Sequence, residues 1–195
     1  MGRVAVVLGT AECWLEDYYF AVSLLPSDHL VYAVKYAGVL WSGHLRAWCS
    51  LHPEKWEKWI AERRGLGYPD PDLWFSHRLP RRGGRRQETW SLPQGTIVED
   101  FKWPGEEQSG STSLFATRMA LRECTRIVLC GCPMDASFGN VRPNSERFSS
   151  HVQGFRYTWE RVAPRLGDRV RSCSGWTASL LGRPTRQWIE DDSGV

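Results

Sequence analysis

The sequence predicts an α/β fold in which helices cover both faces of a mainly parallel, twisted sheet. Two short segments, residues 3–8 and 126–130, are apolar after an initial arginine, which is typical of strands that are buried on both faces. Amphipathic segments with apolar residues at helical spacing lie between such strands. Strands that alternate with helices favour parallel pairing through right-handed crossovers. We therefore expect a Rossmann-like fold, and the length of 195 residues suits one domain spanning residues 1–195.

The N-terminal half is predicted to alternate strands with helices. A strand at residues 3–8 passes through a glycine turn at Gly9 into an amphipathic helix, which Pro26 ends. A second helix is predicted at residues 53–64, because Trp56, Trp59 and Ile60 form an apolar face and the proline at its start is tolerated in a first turn. The remaining strands of this half are predicted at short, mostly apolar segments, which are residues 30–34, 45–49 and 73–75. A further short strand is predicted at the edge of the sheet, at residues 96–98.

The segment from Gly110 to Asp135 organises the C-terminal half. Ser111 or Thr112 is a ready N-cap, because its side-chain oxygen can accept an N–H of the first helical turn. The apolar positions of residues 113–123 then recur at helical spacing, before the buried strand 126–130. The elements predicted after this segment are a helix at 151–163 followed by Pro164, a strand at 169–173 and a tail helix at 177–181.

Two long loops are predicted between these elements. Residues 77–90 form an arginine-rich loop, which contains Arg81, Arg82, Arg85 and Arg86 without any periodicity. Such a charge run is commonly a solvated loop. The alternative is a clamp for phosphate or for a nucleic-acid backbone, since guanidinium groups match phosphate oxygens. Residues 136–150 are polar with Gly and Pro, and their length favours a functional lid loop.

Composition narrows the class of protein. A formal net charge of +3 is too small to indicate nucleic-acid binding by itself. The six cysteines are scattered without zinc-ligand spacing, so we expect reduced, mostly buried thiols and no metal site. Eleven tryptophans suggest that many line a pocket, a partner surface or the rim of the core. No apolar run reaches membrane-spanning length, and we expect a cytoplasmic protein of the phage or bacterial accessory type.

The order of these elements resembles a known family. The segments that carry the likeness share their place at the ends of strands or the starts of helices, and they are residues 4–12, 32–36, 48–53, 111–131 and 151–173. In this order the chain resembles the bacterial sialyltransferases that use CMP-sialic acid. It also resembles their Rossmann-like relatives, including the archaeal 6-hydroxymethylpterin diphosphokinases. The strongest match is the hydroxyl-rich helix start at Ser111, with the strand and glycine that follow that helix.

The resemblance implies a nucleotide or nucleotide-sugar donor over the carboxyl-terminal edge of the sheet. The residues that it places beside the nucleotide are Gly9, Thr10, Lys35, Ser111, Thr112 and Ser113. It also implies that His151 is the histidine that acts as general base in the family. Phe155 aligns with that histidine equally well. Lys35 stands where the family has an asparagine.

The residue types at the strand ends suggest chemistry of the same kind. Lys35 follows a predicted strand and could neutralise phosphate charge, or it could extend into water as strand-end lysines often do. Asp135 follows the strand at 126–130, where catalytic carboxylates are often found, although aspartate is also a common turn former. His52, after the third strand, is a weaker candidate of the same type. Glu12 would repel a phosphate in the first turn.

Three classes of function remain open. The first, which we favour, is an enzyme that transfers a glycosyl or related group from an activated nucleotide, with His151 and Asp135 as candidate catalytic residues. The second is a non-catalytic protein that binds or sequesters a nucleotide. The third is a nucleic-acid or protein interaction module that uses the arginine-rich loop. The motifs of P-loop kinases and of serine hydrolases are absent from the sequence.

Overall fold

Seven strands form one parallel sheet within residues 2–77, 91–141 and 149–191, the parts of the chain that a computed structural model describes. For residues 149–151 the description is limited to the backbone. The strands are β1 (Val4–Leu8), β2 (Leu30–Val34), β3 (Ala47–Ser50), β4 (Leu73–His77), β5 (Ile97–Glu99), β6 (Arg126–Cys130) and β7 (Val170–Ser172). Every pairing between neighbours is parallel, which confirms the predicted fold class.

The strand order in the sheet is β5-β4-β3-β2-β1-β6-β7. The chain therefore adds strands on one side of β1 as far as the edge strand β5, and then returns to place β6 on the other side of β1. In open α/β sheets such a reversal creates a crevice at the carboxyl ends of the two strands that flank it. Here those strands are β1 and β6, which pair from Val4 with Arg126 to Leu8 with Cys130.

Helices cover both faces of the sheet. They are α1 (Trp14–Val22), α2 (Ala37–Leu40), α3 (Trp56–Gly65), α4 (Thr112–Ala120), α5 (Ser149–Leu166), α6 (Gly175–Leu181) and α7 (Arg186–Glu190). One apolar core lies between the sheet and α4, α5 and α6, and it contains Phe115 and Trp159. The other lies under α1, α2, α3 and α7, and it contains the packed indoles of Trp48, Trp56 and Trp74.

Several tryptophans and cysteines take up core positions. Trp48, Trp56 and Trp159 are fully buried in the core, so these three are not among the tryptophans expected at a pocket, a partner surface or the rim of the core. All six cysteines are free thiols, and all except the half-buried Cys13 are buried. No helix in the described parts of the chain is long and apolar enough to cross a membrane.

The element bounds differ from prediction at a few places. The predicted end of the helix before Pro164 is wrong, since α5 continues through this proline to Leu166. A proline in the last turn loses one backbone hydrogen bond, and the complete burial of Leu166 favours continuation. The short helices α2 and α7 were not predicted, and a 3₁₀ turn at Pro53–Lys55 precedes α3.

The two predicted loops are only partly described. His77 belongs to β4, and not to the arginine-rich loop assigned to residues 77–90. Residues 78–90, with Arg81, Arg82, Arg85 and Arg86, lie outside the described residues. The proposed lid at 136–150 is described as far as residue 141, and its last two residues belong to α5.

Candidate functional site

An open pocket lies at the crevice between the carboxyl ends of β1 and β6, with about 590 Å³ of space that includes open solvent. Its lining comes from the turns after β1, β2 and β6, the start of α4, the segment 138–140 and α5. The lining residues are Gly9, Thr10, Ala11, Val34, Lys35, Ser111, Thr112, Ser113, Gly131, Cys132, Pro133, Met134, Asp135, Phe138, Gly139, Asn140, Val152 and Phe155.

The predicted nucleotide-contact residues lie together in this pocket. Gly9 and Thr10, Lys35, and the run Ser111 to Ser113 come from three separate segments of the chain, and all of them line it. Asp135 lines it as well. His151 lies in the first turn of α5, whose next residue Val152 is in the lining, but the His151 side chain is outside the described atoms.

Backbone strain is concentrated at the pocket. Among the described residues, the non-glycine residues with positive φ are Lys35 at 48°, Ser111 at 99° and Met134 at 46°. All three line the pocket. Such conformations cost about 1–3 kcal/mol each, and they persist where surrounding contacts hold them, frequently at binding sites. Their coincidence in one pocket makes it a candidate binding site, on physical grounds that do not depend on any resemblance.

Ser111 is the N-cap of α4, as the sequence predicted. Its Oγ accepts a hydrogen bond from the Leu114 N–H at 3.4 Å, lies 2.7 Å from Ser113 Oγ and accepts from the indole N–H of Trp159 at 3.4 Å. The N–H groups at the start of a helix have no acceptor within the helix. Thr112 and Ser113 therefore present two such donors, with two hydroxyls, at the positive end of the α4 dipole, an arrangement suited to an anion.

Lys35 brings an amino group to the pocket lining from the turn after β2. Its backbone is fixed by three hydrogen bonds: its N–H donates to the Cys49 carbonyl, and its carbonyl accepts from Gly38 N–H at 3.2 Å and from the Trp48 indole at 2.7 Å. Burial lowers the pKa of the Lys35 ammonium. A phosphate bound beside it would favour the charged form.

Gly9 and Gly131 allow β1 and β6 to approach closely beneath the pocket. A Cβ on Gly9 would lie 2.0 Å from the Gly131 carbonyl oxygen, so no side chain fits. The Gly9 N–H donates to the Cys130 carbonyl at 2.7 Å, and the Gly131 N–H donates to the buried Asp17 carboxylate at 2.8 Å. Gly9 is thus required by packing, whatever ligand it contacts.

The first part of the proposed lid packs over the turn after β1. Asn140 Nδ2 donates to Thr10 Oγ1 at 3.1 Å, and the Val141 N–H donates to the Thr10 carbonyl at 3.0 Å. The Glu12 N–H likewise donates to the Gly139 carbonyl. Phe138, Asn140 and Val152 are pocket residues that the sequence analysis did not single out, because nothing in their spacing distinguishes them from other loop and helix residues.

Asp135 is held by its own turn. Its Oδ1 accepts from the N–H and the hydroxyl of Ser137, and its Oδ2 lies 3.5 Å from the Arg156 guanidinium. These hydrogen bonds, with the Arg156 charge, lower the pKa of the carboxyl group. A carboxylate with a lowered pKa is a weak proton acceptor. Within the described residues, no group of three or more His, Cys, Asp or Glu side chains is arranged to hold a metal ion.

Comparisons with known proteins show the fold. No protein-family model and no curated protein matches the chain. Among solved structures, it is similar to the crystal structure of the sialyltransferase CST-II in complex with a trisaccharide acceptor and CMP. The TM-score is 0.60 at 12% sequence identity, over 97% of this chain and 88% of that chain. The chain therefore has a sialyltransferase-like α/β fold, and nothing in these comparisons supports the likeness to pterin diphosphokinases.

Proposed function

We propose that this protein binds a nucleotide in the pocket between β1 and β6 and transfers a glycosyl or related group from a nucleotide-activated donor. One observation carries the proposal. The residues expected to contact a nucleotide converge in the same pocket as the three strained non-glycine residues of the described chain. The pocket also lies where the strand order reverses, the usual ligand site of open α/β sheets.

The pocket lining suits the parts of a nucleotide. The start of α4 offers N–H and hydroxyl donors to a phosphate, and Lys35 adds a cationic side chain. Val34, Phe138 and Val152 supply apolar surface for a ribose and a base. CMP is the first nucleotide to try, because the solved sialyltransferase of similar fold is bound to CMP.

Calorimetric titration of the full chain with CMP, UMP, AMP and GMP tests the nucleotide assignment. We expect saturable binding of at least one of them. Lys35→Met and Thr112→Ala should each weaken it by about 10- to 100-fold, the equivalent of one hydrogen bond to a charged group. Two matched controls lie away from the pocket. Lys58 is an exposed lysine on α3, and Thr125 bonds the Arg3 carbonyl at the opposite edge of the sheet.

The two control variants and an assay of donor cleavage show whether the proposal holds. Equal losses in Lys58→Met and Thr125→Ala, or no binding of any of the four nucleotides, would refute the assignment. Binding of a nucleotide without its release from the matching nucleotide-sugar, CMP-sialic acid in the case of CMP, with water or lactose as acceptor, would identify a non-catalytic nucleotide binder and refute the transferase part of the proposal.

A further inference from the structure

A histidine–carboxylate pair lies beyond the end of β3, one strand further from β1 than Lys35. His52 Nδ1 is 3.2 Å from Glu54 Oε1. The strand order places the residues after β2 and β3 side by side, and the Lys35 charge acts on the His52 imidazole. Neither His52 nor Glu54 is among the lining residues, but the strand order places their turn beside the turn that carries Lys35, which does line the pocket.

The backbone that carries His52 is fixed on both sides. The His52 N–H donates to Ser50 Oγ at 2.9 Å, and its carbonyl accepts from the Lys55 N–H at 3.0 Å. The preceding residue is tied to the neighbouring strand, because His77 Nε2 lies 2.9 Å from the Leu51 carbonyl oxygen. Only a protonated nitrogen can donate to a carbonyl, so His77 carries its proton on Nε2.

The Glu54 contact selects one tautomer of His52. A carboxylate only accepts hydrogen bonds, so Nδ1 must be the protonated nitrogen. Nε2 then carries the lone pair, as in the histidine–carboxylate pairs of acid–base catalysis. The side chain is 47% exposed, so a substrate hydroxyl can reach it.

The surroundings keep His52 neutral near pH 7. Partial burial and the positive charges of Lys35 and, when protonated, His77 lower the pKa of its imidazole, and Glu54 opposes them; the net effect is a pKa below the ordinary value. A neutral imidazole can accept a proton, whereas the low pKa of Asp135 makes that carboxylate a poor acceptor.

We propose that His52 is the proton acceptor of the transfer reaction, with Glu54 as its positioning residue. This proposal rests on the proposed function. The acceptor hydroxyl gives its proton to His52 Nε2 while its oxygen bonds to the anomeric carbon of the donor sugar. The bond from that carbon to the phosphate oxygen breaks, and its electron pair leaves with the nucleotide, beside Lys35. The proton on His52 then returns to solvent.

The test measures CMP release from CMP-sialic acid between pH 5 and 8, with water or lactose as acceptor, alongside CMP affinity. His52→Gln should lower kcat by about 10²- to 10⁴-fold, while the Kd for CMP and the melting temperature stay unchanged. His44→Gln is the matched control, because His44 pairs with Asp72 at 2.9 Å at the opposite edge of the sheet.

The pH profile separates a proton acceptor from a merely structural histidine. The wild-type rate should fall as the pH drops through the His52 pKa, because a protonated imidazole cannot accept the proton of the acceptor hydroxyl. Glu54→Gln removes a contact that raises this pKa, so the acid limb should move to lower pH. Lys35→Met, measured at saturating donor, removes a charge that lowers it, so the limb should move to higher pH.

The outcomes distinguish this proposal from the one on which it rests. If CMP binds but His52→Gln keeps the wild-type kcat, His52 is not the proton acceptor, and the nucleotide site stands. The same conclusion follows if the acid limb of the pH profile moves in neither Glu54→Gln nor Lys35→Met. A wild-type protein that binds CMP without releasing it from the donor also overturns the catalytic role. If no nucleotide binds, both proposals fail together.

Discussion

Trp48 donates its indole N–H to the carbonyl oxygen of Lys35 at 2.7 Å. This hydrogen bond joins a fully buried core side chain on β3 to the strained residue at the pocket rim. The core packing of β3 therefore helps to set the direction of the Lys35 backbone. Contacts of this kind explain how a non-glycine residue keeps a positive φ.

The first prediction concerns this hydrogen bond. Trp48→Phe keeps an aromatic ring in the core but leaves the Lys35 carbonyl without its indole partner, and it also leaves a small cavity. We expect a loss of about 2–4 kcal/mol in the free energy of unfolding, together with weaker CMP binding. Trp74→Phe is the control, since the Trp74 ring stacks on Trp48 from β4, which is not adjacent to β2 and its Lys35 turn. Equal CMP affinity in the two variants would contradict the role given to the Trp48 indole.

A second prediction uses two substitutions at Ser111. Ser111→Ala loses the N-cap hydroxyl and keeps the strain of φ 99° and ψ 165°. Ser111→Gly loses the same hydroxyl but relieves the strain, because only glycine adopts this region readily. Urea unfolding should therefore show the glycine variant to be more stable than the alanine variant by about 1–3 kcal/mol. An alanine variant of equal or greater stability would mean that the backbone at Ser111 is not strained.

A third prediction compares two glycines. Gly9→Ala would place a methyl group 2.0 Å from the Gly131 carbonyl oxygen, where neither backbone can move without separating β1 from β6. We expect it to cost about 3 kcal/mol or more in thermal or urea unfolding. Gly65→Ala, at the end of α3, meets no atom within 4 Å and should be neutral or slightly stabilising. Similar stabilities for the two variants would show that β1 and β6 do not approach as described.

The sequence predicted the sheet well for a physical reason. Strands buried on both faces are mostly apolar, so β1, β2 and β6 are visible as short apolar runs, in β6 after the initial Arg126. Both β2 and β6 have the predicted bounds. The four-residue helix α2 and the five-residue helix α7 are too short to show a helical period, so they were missed.

The pocket was only partly predictable. The sequence pattern identifies Ser111 as an N-cap and Lys35 as a charged residue after an apolar strand. Their positive φ angles are not encoded by their residue types, because the strain is held by distant partners such as Trp48 and Trp159. The pair of His52 with Glu54 likewise depends on the 3₁₀ turn at Pro53–Lys55, which the helical pattern of residues 53–64 did not reveal.

A fourth prediction concerns pH and the opposite edge of the sheet. Glu123 accepts two hydrogen bonds from the Arg46 guanidinium, at 2.8 and 3.0 Å, and one from the Tyr32 hydroxyl. The Arg46 hydrogen bonds lower the pKa of Glu123, with smaller contributions from Tyr32 and Arg3. A carboxyl whose folded pKa is depressed stabilises the fold above its unfolded pKa, and the stabilisation is lost as the pH falls through the folded pKa.

Glu123→Gln should therefore cost about 1–3 kcal/mol at pH 7 and less in acid. The difference in unfolding free energy from wild type should shrink as the pH falls below the ordinary glutamate value of 4.5. Urea unfolding from pH 3 to pH 8 measures it, with Glu107→Gln at an exposed loop position as the control. A difference that is the same at every pH would show that the Glu123 charge contributes nothing.

The crystal structure of the full chain grown with CMP tests the nucleotide pocket most directly. We predict electron density for CMP between the turn after β1 and the start of α4, with its phosphate within hydrogen-bonding distance of Thr112 or Ser113 and facing Lys35. Density for CMP elsewhere, or an empty pocket at a CMP concentration that saturates the protein in solution, would contradict the assignment.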